Sequence, residues 1–130
     1  MITTTTTTAN ATISRVLQGL VTLRHKVTVY VPATCGVSTA CDNTAQVERT
    51  ARALAGWFGG ATSSPAVGYW LSETAGLVAE NTTVVFAFAA EEDLAAHLID
   101  VVDMCRSLCA EMQQEAVALE VDGAMHFVNV

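Results

Sequence analysis

Residues Thr82 to Ala90 form a short run that is apolar at most positions and rich in β-branched and aromatic side chains. Such a run predicts a strand covered on both faces, and we expect it in the middle of a sheet. In residues 26–31, valine alternates instead with polar or aromatic residues. This alternation predicts a strand with a single face in the core. Further strands are predicted at 66–71, 116–121 and 124–130, the last two joined by an Asp122-Gly123 hairpin.

Apolar positions that recur every three or four residues predict helices at 10–24, 44–58 and 91–113. The third helix has the most regular pattern, and its acidic start, Glu91-Glu92-Asp93, suits the positive end of a helix. For the second helix, Asn43 lies three residues before Gln46 and predicts a capping box. Gly59-Gly60 predicts a left-handed stop at its other end.

The predicted order is strand, helix, strand, strand, helix, strand, which is the order of the ferredoxin-like β-α-β-β-α-β fold. We therefore expect an α+β domain with an antiparallel sheet, both helices on one face, and the first and third strands in the middle. The chain divides into a flexible Thr-rich tail at 1–9, an amphipathic helix at 10–25 and a single domain at 26–130 that ends in an edge strand.

The sheet face turned away from the helices is expected to be largely apolar. If Val27, Val29 and Val31 lie in the core, we expect Val84, Phe86 and Phe88 to face the helices with them. The residues then predicted to form a pocket or interface on the open face are Tyr30, Trp70, Val85, Ala87, Ala118, Glu120 and His126. An exposed apolar patch of this kind needs a cover. The candidates are a second copy of the chain, the N-terminal helix or a small ligand.

Composition narrows the class of protein. The 130 residues suit one domain, and 52% hydrophobic against 15% charged residues favours a large core and an interface. We therefore expect a homo-oligomer, most simply a dimer, with a protein partner as a further option. No apolar run approaches the length of a membrane span, and the N-terminus does not read as a secretory signal, so the expected location is the cytoplasm.

The net charge of −7 is unevenly distributed along the chain. Residues 1–26 hold three bases and no acid, whereas residues 27–130 hold three bases and thirteen acids. An acidic body repels phosphate backbones, so we expect no direct contact with nucleic acid.

The cysteines and histidines give no strong metal or catalytic pattern, and no cofactor is predicted. Cys105 and Cys109 coincide with the apolar stripe of the third helix, so we expect them to be buried in the core. Cys35 and Cys41 lack the spacing of a zinc ribbon, and a bridge between them requires oxidation. No His-x-x-x-His pair occurs in the sequence.

Two groups of polar residues are either ordinary surface residues or candidate functional sites. The loop before the second helix carries Thr34, Ser38 and Thr39, which with its backbone amides would suit a small anion. The acids nearest the strands are Glu73, Glu80, Glu115 and Glu120. A pair of carboxylates in one cavity is able to do acid–base work.

Several blocks of the sequence together suggest a relationship. They are Val31-Pro32, Asp42-Asn43-Thr44, Phe58 to Thr62, Gly68-Tyr69-Trp70, Leu77 to Glu80 and Gln114 to Val121. In these blocks, residues 26–130 resemble a group of short, uncharacterised bacterial proteins associated with plasmids and other mobile elements. The resemblance implies a ferredoxin-like layout and no established activity.

The leading functional interpretation is a small non-enzymatic module that self-associates and binds a protein partner. It follows from the apolar sheet face and from the lack of a catalytic constellation, so the expectation leans away from an enzyme. The alternative is a ligand-binding protein or a cofactor-free enzyme, of isomerase or oxygenase type, with a pocket over the open sheet face. A weaker option is regulation of a mobile element through DNA, which the acidic body disfavours.

Overall fold

A computed structural model describes the backbone of residues 2–36 and 39–130 and the side chains of residues 8–36 and 39–130. The helices are α1 (Ile2–Leu17), α2 (Thr44–Phe58) and α3 (Glu91–Glu111). The strands are β1 (His25–Pro32), β2 (Thr34–Cys35), β3 (Thr39–Ala40), β4 (Thr62–Ser72), β5 (Gly76–Ala89), β6 (Val117–Val121) and β7 (Ala124–Val128).

The main sheet of the described chain has the strand order β4-β5-β1-β6-β7, and all of its neighbouring strands are antiparallel. β1 and β5 lie in the middle, and β7 extends the sheet beyond β6. The prediction of a ferredoxin-like α+β fold is confirmed. β2 and β3 pair as a separate small antiparallel sheet inside the loop before α2.

The hydrophobic core lies between this sheet and the two helices α2 and α3. It is built from aliphatic side chains of β1 and β5, from Leu54 and Phe58 of α2, and from one face of α3. Val27, Val29 and Val31 are fully buried, as their alternation predicts. No helix in the described part of the chain combines the length and apolar character that crossing a membrane requires.

The register of β5 differs from the prediction by one residue. Val29 pairs with Val85, and Val27 pairs with Ala87, so these two β5 residues lie on the helix face. Both are almost completely buried there. The placement of Val85 and Ala87 on the open face was therefore wrong, and Val84, Phe86 and Phe88 lie on the open face instead. Both faces of β5 are apolar, so alternation alone does not choose between them, and the helices pack against the smaller side chains.

The ends of α2 show one confirmed and one incorrect prediction. Gly59 adopts the left-handed conformation, with φ 99°, and ends the helix. Asn43 does not cap the helix with its side chain. Its amide nitrogen donates instead to the carbonyl of Pro32 and to the hydroxyl of Thr83, at 3.1 and 3.2 Å. Asp42 takes over the cap, because its carboxylate accepts from the backbone N–H and the hydroxyl of Thr44.

The β6–β7 hairpin turns at Asp122 and Gly123, which have φ angles of 51° and 85°. Two successive positive φ angles are the mark of the type I′ turn that the sequence predicts. The carboxylate of Asp122 also accepts from the backbone N–H of Lys26 at 2.7 Å and lies 2.6 Å from Nδ1 of His25. These contacts fasten the hairpin to the start of β1 and lower the pKa of the Asp122 carboxyl, chiefly through His25.

Helix α1 occupies a different stretch from the predicted one. It begins at Ile2 and ends at Leu17, whereas the sequence predicted a tail at 1–9 and a helix from residue 10 to the start of β1. The backbone of the threonine run is helical from residue 3 onward. The chain between α1 and β1 is an irregular connection, with Gly19 at a φ of 84°.

Thr50 provides a test of the packing under α2. Its side chain is fully buried, and its hydroxyl has no hydrogen-bond partner among the described residues. We expect Thr50→Val to raise the free energy of unfolding by about 1 kcal/mol, because it removes an unsatisfied buried hydroxyl at nearly constant shape. Urea denaturation measures the change. Thr44→Val is the matched control: it removes a satisfied hydroxyl and should destabilise the protein. A loss of stability in Thr50→Val would contradict this account.

Candidate functional site

The open face of the sheet carries four of the residues predicted to lie there. Glu120 pairs with Thr28, so alternation along β1 and β6 puts Tyr30 and Ala118 on the same face. Trp70 also lies on this face, because it pairs with Val78 in the register that pairs Ser64 with Val84. His126 pairs with Leu119, a core residue, and therefore belongs to the helix side at the sheet edge. Its predicted approach to the open face was wrong.

Glu120 has a structural role on this face. One of its carboxylate oxygens accepts from the hydroxyl of Thr28 at 2.6 Å. The other accepts from the backbone N–H of Gly123 at 2.7 Å and so supports the β6–β7 turn. Because both oxygens are already engaged, Glu120 is a poor candidate for acid–base chemistry.

A cleft lies at the other end of the open face, where β1 ends and β6 begins. It consists of two adjoining depressions of about 290 and 140 Å³, which share Glu80, Gln114 and Ala116. The larger also contacts Gly36, Trp70, Gln113 and Glu115. The smaller extends beneath Tyr30 and Gly68 toward the middle of the sheet.

The β4–β5 hairpin provides one wall of this cleft. Its two strands continue as a ribbon past the point where β5 leaves β1, since β1 pairs only with residues 82–89 of β5. Trp70 and Glu80 both project from the ribbon on the side of the open face. Gly68 pairs with Glu80 across the ribbon and lines the smaller depression.

Gln114 holds the opposite wall together. Its side-chain nitrogen, which carries two N–H donors, lies 2.8, 3.1 and 3.1 Å from the carbonyl oxygens of Thr34, Gly36 and Met112, and 3.3 Å from the Thr34 hydroxyl. The Gly36 N–H also donates to the Met112 carbonyl at 2.9 Å. These bonds attach the β2 strand to the segment between α3 and β6. They also fix the orientation of the Gln114 amide in the cleft.

The charged side chains that line the cleft are acidic. Glu80 and Glu115 are present, and none of the described residues lining either depression is lysine or arginine. Glu80 is half-buried and has no side-chain partner within the described part of the chain, whereas Glu115 is exposed. Such a cleft favours a ligand with a positive charge and hydrogen-bond donors, because an anionic ligand would find no cationic side chain there.

The loop that was predicted to bind a small anion is not well suited to one. Thr34 lies in β2 with its carbonyl and hydroxyl oxygens near the Gln114 nitrogen, Thr39 lies in β3, and Ser38 falls outside the described residues. The carboxylate of Asp42 already occupies the start of α2. A bound anion would be repelled by that negative charge.

The cysteines divide into two pairs. Cys105 and Cys109 are buried as predicted, and burial raises the pKa of Cys105 to about 12. Cys35 and Cys41 are free and half-buried in the β2–β3 hairpin, where Cys35 raises the pKa of Cys41 to about 11. In the described residues, no three His, Cys, Asp or Glu side chains form a group that could hold a metal ion.

The fold is similar to that of solved enzymes. A phage SAM lyase in complex with S-methyl-5′-thioadenosine matches with a TM-score of 0.59 and 19% identity, over 82% of this chain and 89% of that chain. The apo state of phage SAM lyase matches with a TM-score of 0.61 and 18% identity, over 87% of this chain and 94% of that chain. No protein-family model and no curated protein matches the sequence.

This likeness overturns the leading functional interpretation. A non-enzymatic interaction module was predicted because the sequence shows no catalytic constellation, but the matched fold is that of an enzyme. The expectation that leaned away from an enzyme is likewise unsupported. The findings favour the alternative, a ligand-binding protein or enzyme with a pocket over the open sheet face. The resemblance to plasmid-associated proteins stays a prediction.

Two residues of the cleft were underestimated from the sequence. In the sequence, Glu80 is one of several acids near strands. It differs from the others because it lies on the part of the β4–β5 ribbon that extends past β1, and the sequence does not show the length of that ribbon. Gln114 carried no signal, since a glutamine between a helix and a strand usually faces solvent. The structure shows why it turns inward: Gln113 adopts a positive φ of 55° and redirects the chain at the helix end.

Gln114→Met tests the role of this side chain in holding the cleft wall. The change keeps the length and removes the donors that reach the Thr34, Gly36 and Met112 carbonyls. We expect a loss of about 1–3 kcal/mol in the free energy of unfolding, because part-buried acceptors lose their partner. We also expect faster amide exchange at Gly36. Gln113→Met is the control, since its side chain is exposed. Equal effects of the two changes would contradict the assigned role.

Proposed function

We propose that this protein is an enzyme that binds S-adenosylmethionine (SAM) in the cleft and cleaves it to release S-methyl-5′-thioadenosine. The fold likeness to phage SAM lyase, in one case with that nucleoside bound, supports the proposal. The observation that carries it is the acidic cleft. Glu80 and Glu115 lie there without a competing base, which suits a ligand with a sulfonium and an ammonium group.

The chemistry needs little from the protein beyond binding and orientation. When the bond between sulfur and the amino-acid arm breaks, sulfur leaves as a neutral thioether and keeps both electrons of that bond. A lyase adds no water, so the new bond forms within the arm itself. Either the arm loses a proton to a carboxylate of the cleft and becomes unsaturated, or its own carboxylate attacks the carbon and closes a lactone. Both routes balance without a redox partner. The two second products are isomers of equal mass, so NMR spectroscopy distinguishes them.

The two carboxylates are assigned to holding the cationic arm. The charge on sulfur disappears as the bond breaks, so a carboxylate placed only against sulfur would stabilise the substrate more than the transition state. A carboxylate that pairs with the ammonium group keeps its full interaction throughout the reaction. This pairing holds the arm in the reactive conformation, and such orientation lowers the barrier of the reaction.

Trp70 offers a surface for the nucleoside. Its side chain is 45% exposed on the open-face side of the ribbon and borders the same depression as Glu80. An aromatic side chain that stacks on a base contributes about 1–3 kcal/mol in nucleic-acid-binding proteins. In this proposal the purine lies against Trp70 while the charged arm points toward the carboxylates.

The test is to incubate the purified protein with SAM and measure S-methyl-5′-thioadenosine by liquid chromatography and mass spectrometry. We expect release above the spontaneous rate of a heat-denatured sample. In Glu80→Gln we expect kcat/KM to fall on the order of ten- to a hundredfold, because one partner of a charge pair is removed.

Glu73→Gln is the matched control, because Glu73 is exposed in the turn between β4 and β5 and does not line the cleft. This variant should keep the activity of the unmodified protein. If folded, unmodified protein releases no product above the spontaneous rate, the proposal is wrong. If Glu80→Gln and Glu73→Gln are equally active, the assignment of the cleft is wrong.

A further inference from the structure

The N-terminal segment has an apolar surface with no cover in the described chain. Every residue from 8 to 24 is exposed. Among them are large aliphatic side chains: Ile13, Val16, Leu17, Leu20, Val21 and Leu23. Helical spacing places Ile13, Val16 and Leu17 on one face of α1 as an apolar stripe, and Val16 is 72% exposed. The segment therefore does not serve as a lid over its own sheet.

A helix of this composition is poorly stable without a packing partner. α1 has 16 residues, of which threonine forms a large part. β-branched residues are weak helix formers, and isolated helices of this length are marginal in water even when alanine-rich. Most helical stability in proteins comes from packing an amphipathic face. The stripe on α1 thus calls for a surface supplied from outside the chain.

We propose that α1 of one copy docks on the open sheet face of a second copy, and that two copies exchange their helices in this way. The receiving surface is made of the large apolar side chains that β5 and β7 present on that face. Its residues are Phe86, Phe88, Met125 and Phe127.

The receiving surface exposes large apolar side chains. Phe88, Met125 and Phe127 are 48%, 45% and 74% exposed. Phe88 pairs with Lys26 and Met125 pairs with Glu120, which places both on the open face, with Lys26 and Glu120 lying between them. On the β5 side, a groove of about 440 Å³ is lined by Phe86, Phe88, Phe58 and Leu23. The opposite face of the sheet is already covered by α2 and α3.

Charge favours the sheet of a second copy as the partner of α1, over another α1 helix or a membrane surface. Residues 1–24 contain Arg15 and Arg24 and no acid, a net charge of +2, whereas residues 25–130 have a net charge of −9. Docking of α1 on another body joins opposite charges. Pairing of two α1 helices with each other would instead join like charges, and an anionic membrane surface would repel the acidic body.

The length of α1 also matches the width of the sheet. A helix of 16 residues is about 24 Å long at 1.5 Å per residue. Five strands spaced by about 4.8 Å give a sheet about 19 Å wide. One α1 helix is therefore long enough to cross the whole sheet of its partner. The inference rests on the exposed apolar side chains and the charges and does not depend on the proposed enzymatic function.

The test uses full-length variants in analytical ultracentrifugation at tens of micromolar, with circular dichroism to confirm folding. We expect the unmodified protein to form dimers. Val16→Glu disrupts the stripe and Phe127→Glu disrupts the receiving surface, so both should give folded monomers. Ala11→Glu, on the side of α1 opposite the stripe, and His126→Glu, on the other sheet face, add the same charge and should leave the dimer intact.

Mixing the two disruptive variants gives the sharpest result. The Phe127→Glu copy keeps an intact α1, and the Val16→Glu copy keeps an intact receiving surface, so the mixture should form heterodimers with one working contact. Several outcomes would overturn the proposal: an unmodified protein that is monomeric, including one that instead sediments with anionic lipid vesicles; a Phe127→Glu variant that still dimerises; or a mixture that remains monomeric.

Discussion

The pairing of β5 with β1 is the constraint on which the rest of the structure depends. Side chains alternate along a strand, so this register assigns every β5 residue to one face of the sheet. It buries Val85, Ala87 and Ala89 beneath the helices. It also turns Phe86, Phe88 and Glu80 to the open face. A shift by one residue would remove the carboxylate from the cleft and the aromatic rings from the receiving surface.

The small residues of β5 explain why the structure takes this register. The space between the sheet and the two helices α2 and α3 is filled by leucine, phenylalanine, valine and cysteine side chains of the helices. The larger phenylalanine rings fit better on the uncovered face. There Phe86 and Phe88 contact each other edge to face, and the ammonium of Lys26 lies 4.7 Å from the Phe86 ring centre. This cation–π contact lowers the cost of leaving a ring exposed.

The fold was largely predictable from the sequence, because helical and strand periods are strong signals. α2 was predicted with its observed limits, and Asp122-Gly123 was identified as a hairpin turn. The faces of β5 were not predictable, because an unbroken apolar run gives no alternation to read. The cleft was not predictable either, since the bonds from Gln114 to the Thr34 and Gly36 carbonyls join segments about eighty residues apart. The prediction of the function was wrong for a related reason. The ionisable side chains of the cleft come from separate elements and form no local motif in the sequence.

The central claim is that the carboxylates of the cleft bind the ammonium-bearing arm of the ligand. Isothermal titration calorimetry with S-adenosylhomocysteine and with S-methyl-5′-thioadenosine tests it most directly, since both ligands have an uncharged sulfur and only the first has that arm. The account predicts tighter binding of S-adenosylhomocysteine, with a preference that weakens as salt is added and largely disappears in Glu80→Gln. Equal affinities in the unmodified protein, or tighter binding of the ligand without the arm, would contradict it.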